Sequence, residues 1–190
     1  MYLGKITVIT GPMASGKTER ILEITRQATA LGIPVELFKP ATDTRDASVK
    51  SRNGAQEACH HLAPQDSDTL HQQLEKGGYG RRSALIVIDE FQFLEDPTYI
   101  RDLNRLAVAG HGIVVSGLDM TSELMPFGLM PSIMCYADDV IKLKGRCEEC
   151  ETETPSLFTY ADFEKIDKVA IEGETHKYKA VCRKCHLKHK

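Results

Sequence analysis

Long apolar runs are missing from this chain. No stretch approaches the ~20 consecutive apolar residues that a membrane helix needs, so the sequence argues against a membrane span. The start, MYLGKIT, shows no basic region followed by an apolar stretch, so no secretory leader is expected and the cytosol is the expected compartment. A large charge excess is missing too. The net charge is −3, which sets aside a molecule-wide electrostatic nucleic-acid binder. Internal repeats and low-complexity tracts are absent, which excludes a solenoid or an array.

What is present is ordinary in bulk. The chain has 190 residues, 42% of them hydrophobic and 27% charged, as in a globular protein of one domain or one domain with a small appendage. A chain of this length buries roughly 70% of its unfolded surface and does not need disulfides to fold. The six cysteines fall into two kinds. Cys59 and Cys135 are isolated and read as small core residues. Cys147, Cys150, Cys182 and Cys185 form two Cys-x-x-Cys pairs, which in a cytosolic chain point to a metal.

The first half alternates strand and helix signals. ITVIT (6–10) is a β-branched run ending at Gly11. TERILEITRQATAL (18–31) places apolar residues near helical spacing and stops at Gly32. VELF (35–38) reads as a strand, residues 42–56 as a polar loop, and SDTLHQQLEKGG (67–78) as a short helix capped by Ser67 or Asp68. ALIVID (84–89) is the strongest strand signal, an unbroken apolar run suited to the middle of a parallel sheet. Asp96-Pro97 starts a helix reaching about Ala109. GIVVSGLD (112–119) and DVIKLKG (139–145) read as further strands. This alternation predicts an α/β fold with a parallel sheet and helices on both faces. The texture changes after about residue 144. We therefore expect an α/β domain over 1–144 and a metal-binding appendage over 145–190. His60 and His61 read as a solvated loop, and GGYGRR (77–82) as the connection into the central strand.

GPMASGKT (11–18) fits G-x-x-x-x-G-K-[ST] in full, between a predicted strand and a predicted helix. Gly11 and Gly16 let the backbone bend around phosphate oxygens. The amides of Pro12-Met13-Ala14-Ser15 and the helix start supply partial positive charge, less the one that Pro12 lacks. Lys17 can bridge the β- and γ-phosphates of ATP, and Thr18 can ligate Mg2+. Asp89, ending the strongest strand, suits the magnesium-side carboxylate. Glu90 is a second carboxylate at the same edge. Side-chain alternation along a strand turns it away from Asp89. It could position water, take a proton from a substrate hydroxyl, or pair with an arginine such as Arg45.

The two cysteine pairs have 31 residues between Cys150 and Cys182. Four thiolates can close a tetrahedral Zn2+ site with a structural role. A redox pair and four free thiols are the rival readings. His186 and His189 could replace a cysteine, although four thiolates suffice. No recognition-helix pattern lies between the pairs, so a nucleic-acid finger is not expected.

In order along the chain, GPMASGKT, KPATDTR (39–45), IDEFQF (88–93), GLD (117–119), PFG (126–128), the cysteine pairs and HKYKAVCRKC (176–185) resemble thymidine kinases of the zinc-containing P-loop type. The resemblance spans nearly the whole chain. It implies a RecA-like α/β domain, a zinc-anchored lasso, and phosphorylation of the 5′-hydroxyl of thymidine or a related pyrimidine deoxynucleoside by ATP. It implies Glu90 as general base. Lys17 is a cationic partner by the phosphate-loop motif, and Arg45, in the polar loop, is either a further cationic contact or a surface arginine. The ATP and magnesium set is then Gly11 through Thr18 with Asp89 and Gln92. Met13, Phe93, Ser122, Phe127, Gly173 and Tyr178 border the nucleoside. A homotetramer is implied, with no nucleic acid or membrane as partner. The chain departs from the family in two places. Ser122 stands where a phenylalanine is usual, so the stacking ring is either missing or supplied elsewhere, as by Phe91 or Phe127. Glu174 and His176 replace a glycine and an acidic residue before Tyr178. These departures leave the kinase chemistry intact and open the base preference. The alternative is a P-loop ATPase or switch whose zinc loop binds a macromolecule.

Overall fold

Six short strands, all parallel, form the central sheet of the described residues, its inner four buried. The computed structural model describes residues 3–41, 48–50, 54, 56–77, 83–150, 153–161 and 178–189. In chain order it contains β1 (Ile6–Thr10), α1 (Lys17–Ala30), β2 (Val35–Pro40), β3 (Ser48–Lys50), β4 (Gln56–Ala58), β5 (His60–Leu62), α2 (Asp68–Lys76), β6 (Leu85–Ile88), α3 (Thr98–Val108), β7 (Gly112–Gly117), α4 (Met130–Tyr136) and β8 (Asp139–Lys142). The sheet order is β5-β2-β6-β7-β1-β8, with every pairing parallel. The parallel sheet expected from the strand–helix alternation is therefore present, and β6, the strongest apolar run, lies inside it.

Alternation along the strands divides the core in two. Ile86 and Ile88 face a layer with Leu70 and Leu74 of α2, Tyr99, Ile100 and Leu103 of α3, and Met130 and Ile133 of α4. Leu85 and Val87 face α1 through Ile21, Leu22, Ile24 and Ala28. Helices thus cover both faces. Helix α1 ends where Gly32 takes φ 72, with the Gly32 amide donating to the Thr29 carbonyl at 2.9 Å. Asp96 starts α3 as expected, its Oδ1 accepting from the Thr98 amide at 2.9 Å. Its other oxygen takes the Ser67 amide, at the cap of α2, at 3.1 Å.

Several expectations need correction. His60 and His61 lie on edge strand β5, paired with β2, rather than in a solvated loop. Residues 42–56 are not simply loop, because β3 pairs antiparallel with β4. Helix α4 was not anticipated; at seven residues it is too short to show a clear period. Cys135 sits on its exposed side and is not a core residue. Arg45, Gly173, Glu174, His176 and residues 78–82 of GGYGRR lie outside the described residues.

Beyond β8 the texture differs. Strands β9 (Gly145–Arg146) and β10 (Pro155–Ser156) make one antiparallel pair, and β11 (Phe158–Ala161) and β12 (Tyr178–Val181) another, before the one-turn helix α5 (Arg183–Leu187). Their buried cluster is small: Cys147, Phe158, Val181, Cys182 and Cys185. Among the described residues, no helix is long and apolar enough to cross a membrane.

Candidate functional site

Ligand crevices of open parallel sheets form at the carboxyl ends of the strands. Here that edge collects the loop after β1, Asp89 after β6 and Leu118 after β7. Gly11 adopts φ 146, and a Cβ there would lie 2.5 Å from the Leu143 carbonyl oxygen and 2.8 Å from Ser15 Oγ. No side chain fits, which is the physical reason for glycine at this turn. Gly16 takes φ 87 and Ala14 φ 58. Lys17 is buried and donates to the carbonyls of Gly11 at 3.1 Å and Pro12 at 2.9 Å. Its ammonium therefore stands inside the loop, where phosphate oxygens would lie. Ser15 Oγ is buried there with no hydrogen-bond partner. A glycine cradle, an interior cation and an orphan hydroxyl together fit a polyphosphate.

Thr18 Oγ1 donates to Asp89 Oδ2 at 3.1 Å. This joins the two residues expected at Mg2+, an alcohol and a carboxylate from opposite sides of the crevice. Asp89 is buried. Burial first, and then the neighbouring Glu90 charge, push its carboxyl up to about 6. A carboxylate held so unfavourably is complementary to a divalent cation, so the donor set fits magnesium.

Glu90 departs from the geometry expected of it. Strand β6 ends at Ile88, so the alternation that would turn Glu90 away from Asp89 has already stopped. Glu90 instead takes the left-handed conformation, φ 53 and ψ 38. A non-glycine residue held there costs on the order of 1 kcal/mol. The turn that follows, Phe91–Phe93, buries Phe91 in the sheet core. Phe91 therefore cannot supply a stacking ring, while the Phe127 ring lies 5.5 Å from that of Phe93 and edge-on at 83°.

Gln92 joins these parts. It is buried, its Nε2 donates to Glu90 Oε2, and its Oε1 accepts from the Leu118 amide at 3.0 Å. Both ends of the amide are thus engaged, so it orients Glu90 against the end of β7. Two glycines make room for it. A Cβ on Gly117 would fall well inside contact distance of Gln92 Oε1, and one on Gly128 would strike the Gln92 backbone oxygen. For Gly117 in GLD the available signal was its place at the end of β7, where a glycine marks close approach, whereas Gly128 in PFG lies in the turn before α4.

The remaining predicted residues are more scattered. Met13 is half-buried, and its amide donates to Thr159 Oγ1 of β11 at 3.0 Å. Tyr178 is buried on β12, opposite Ala161. The Ser122 carbonyl meets His186. Sequence reasoning missed Thr159, for which no local signal exists. It also missed Lys39, a buried cation at the end of β2 that donates to the Ser48 carbonyl at 3.3 Å.

The four predicted cysteines converge, their sulfurs all within 4.8 Å of one another. Cys150 Sγ lies 3.7 Å from Cys182 Sγ and 3.6 Å from Cys185 Sγ. A tetrahedron with zinc–sulfur bonds of about 2.3 Å has edges of about 3.8 Å, whereas a disulfide requires about 2.05 Å. Burial raises the Cys147 thiol, but the amides of Cys182, Glu149 and Cys150 and the Cys150 side chain outweigh it and bring it down to about 6. Cys185 is pushed up to about 12 by burial and by the neighbouring sulfurs. Crowded thiols cannot all ionise without a cation between them, and Zn2+ fits this set. His186 and His189 do not substitute for cysteine: His186 Nε2 contacts the Ser122 carbonyl, and His189 Nε2 contacts the Glu149 carboxylate.

A protein-family model described as thymidine kinase matches residues 4–186. The thymidine kinase of Mycoplasma mobile (strain ATCC 43663 / 163K / NCTC 11711) is 34% identical over 186 residues, spanning 97% of this chain and 88% of that protein. Among solved structures, the genome packaging NTPase B204 of Sulfolobus turreted icosahedral virus 2, in complex with ATP-gammaS, is similar with a TM-score of 0.47 and 17% identity, over 78% of this chain and 77% of that one. Flagellar accessory protein FlaH from Methanocaldococcus jannaschii gives a TM-score of 0.49 and 11% identity, over 75% and 72% of the two chains.

Proposed function

The chain belongs to the thymidine kinase family, and from that premise we propose that it transfers the γ-phosphoryl group of ATP to the 5′-hydroxyl of thymidine, with Glu90 holding the acceptor. The observation that carries this reading is the division between adjacent carboxylates. Asp89 is turned to Thr18 at the phosphate loop, while Glu90 is tied through Gln92 to the end of β7.

In this reading Gly11 through Thr18 cradle the triphosphate. Thr18 and Asp89 would hold magnesium, which when bound would neutralise charge on the phosphates. Lys17 exchanges the carbonyls of Gly11 and Pro12 for phosphate oxygens and meets the charge that develops in transfer. Glu90 accepts a hydrogen bond from the 5′-hydroxyl and holds its oxygen in line. The new bond joins that oxygen to the γ-phosphorus, the bond to the β,γ-bridging oxygen breaks, ADP departs, and the hydroxyl proton passes to Glu90. Met13, Phe93, Ser122, Phe127, Gly173 and Tyr178 border the nucleoside, and Arg45 adds a cationic contact. Because Ser122 lacks a ring and Glu174 and His176 alter the lasso, the preference extends to related pyrimidine deoxynucleosides. Residues 1–144 act as the nucleotide-binding domain and 145–190 as the zinc-anchored lasso. The working form is a cytoplasmic homotetramer that supplies nucleotides for DNA synthesis.

The deciding experiment measures ATP consumption against a nucleoside panel, with no-acceptor and single-stranded DNA controls. The expected result is one 5′-monophosphate formed per ATP used, with thymidine among the acceptors. Turnover without nucleoside would hand Glu90 to a water-positioning role. Glu90→Gln should lower transfer by about 10²–10⁴-fold while ATP affinity stays unchanged; unaltered transfer would remove the base assignment.

A further inference from the structure

Two segments distant in sequence meet at His186. The chain between β7 and α4 folds into a closed turn. Met120 bridges Pro126, the Thr121 amide donates to the Met125 carbonyl at 2.8 Å, and the Leu124 amide donates to the Thr121 carbonyl at 3.1 Å. Leu124 takes φ 65 to close it. Met120 and Leu124 pack against the cysteine cluster, with Phe158 and Val181, instead of against the sheet core. At the tip of the turn, the Ser122 carbonyl accepts from His186 Nε2 at 3.0 Å. His186 is only 4% exposed, and its ring centre lies 5.5 Å from that of Phe158. A carbonyl only accepts, so Nε2 carries the proton.

The other end of the same turn belongs to the site. The Phe127 amide donates to the Asp119 carbonyl at 3.1 Å, the Phe127 ring meets Phe93, and Gly128 lies against the Gln92 backbone. A shift at Ser122 is therefore only a few residues from the groups that face the acceptor.

We infer that His186 is a positioning residue for the nucleoside side of the site, fastening the turn that carries Ser122 and Phe127 to the four-cysteine module. Its catalytic consequence rests on the kinase reading; the link itself does not. The link runs through the backbone carbonyl of Ser122 and not through its side chain.

The test compares His186→Phe, which keeps a ring beside Phe158 but has no donor, with His186→Gln, which keeps an N–H. The phenylalanine variant should raise the nucleoside KM about fivefold to tenfold, the loss of roughly one net hydrogen bond. Its kcat and ATP KM should stay within about twofold, and it should retain zinc. Hydrogen exchange at residues 119–127 should quicken, and glutamine should restore most of both effects. If His186→Phe sheds zinc, Leu124→Gly takes its place. It loosens the turn from outside the module at a backbone angle that suits glycine, and must give the same selective rise. Unchanged exchange at 119–127 overturns the link. Faster exchange with an unchanged nucleoside KM overturns the positioning role. Should the unsubstituted protein phosphorylate no nucleoside, the kinase reading fails on its own, and the exchange measurement still decides the link.

Discussion

Two places among the described residues suit a cation, and they are built in opposite ways. At the sheet edge, Asp89 and Thr18 meet from different elements at the carboxyl ends of the strands, on a frame with two large apolar clusters of its own. At the C-terminal end, four sulfurs converge from two knuckles and leave no open position, on a frame whose apolar cluster is small among the described residues. The first arrangement stores unfavourable terms: a buried carboxyl pushed up to about 6 and a left-handed Glu90. The second spends its ligands on holding itself together. An open site can do chemistry because the rest of the fold carries its cost, whereas a closed one supplies folding free energy directly.

The sharpest way to break this contrast is at the cysteines. Cys182→Ser should abolish stoichiometric zinc and remove stabilisation on the order of 10 kcal/mol from the module. Metal analysis and limited proteolysis should report loss of zinc and rapid cleavage beyond residue 145, with the sheet still protected. Retained metal would reject the four-thiolate site, and unfolding of the sheet as well would show that the two regions are not separable. Next in size is Gly117→Ala, whose methyl displaces Gln92 and so releases Glu90. Transfer should fall by about 10- to 100-fold with zinc content unchanged, measured by steady-state kinetics and metal analysis.

How much of this was legible in the sequence differs between the regions for the same reason. The cysteine set is local chemistry at fixed spacing, so the four residues that converge could be named in advance. The phosphate loop and the central strand were also legible, because a motif and an apolar run are contiguous. The setting of Glu90 was not. Period-two reasoning assumes the strand continues, and β6 stops two residues short of Glu90. Helix α4, β5 and the β3–β4 pair were missed because each is held by neighbours rather than by its own periodicity. Gln92 was expected at ATP and magnesium. Its two partners, one of them 26 residues away, could be seen only after folding.

The cost carried by the open site can be measured without substrate. Asp89 has an ordinary value near 3.8 and rises to about 6 when folded. Its raised folded value means that its contribution to stability is fully present below about pH 4 and is lost as pH rises through about 6. Asp89→Asn removes that slope. The variant should be more stable than the parent at pH 7, by at most about 3 kcal/mol, and the gap should close toward pH 4. Urea unfolding of ligand-free protein across that range checks the sign. A variant that is less stable at pH 7 would show that Asp89 helps the fold rather than burdens it. The same variant should lose transfer.

The smallest effect tests the seam between the two regions. The Met13 amide in the phosphate loop donates to Thr159 on β11, next to the cysteine cluster. Thr159→Val keeps the shape and removes the acceptor, leaving a half-buried amide short of that partner at about 1 kcal/mol. If the module helps shape the loop, ATP affinity should weaken about threefold to fivefold while zinc content and thermal stability hold nearly constant. Isothermal titration with ATP reads the difference. Unchanged affinity would mean that the loop is set by Gly11, Gly16 and Lys17 alone, and that the module reaches the chemistry only from the acceptor side, through His186. A loss limited to ATP would make Thr159 the counterpart of His186, so that one closed metal centre steadies both halves of the open site.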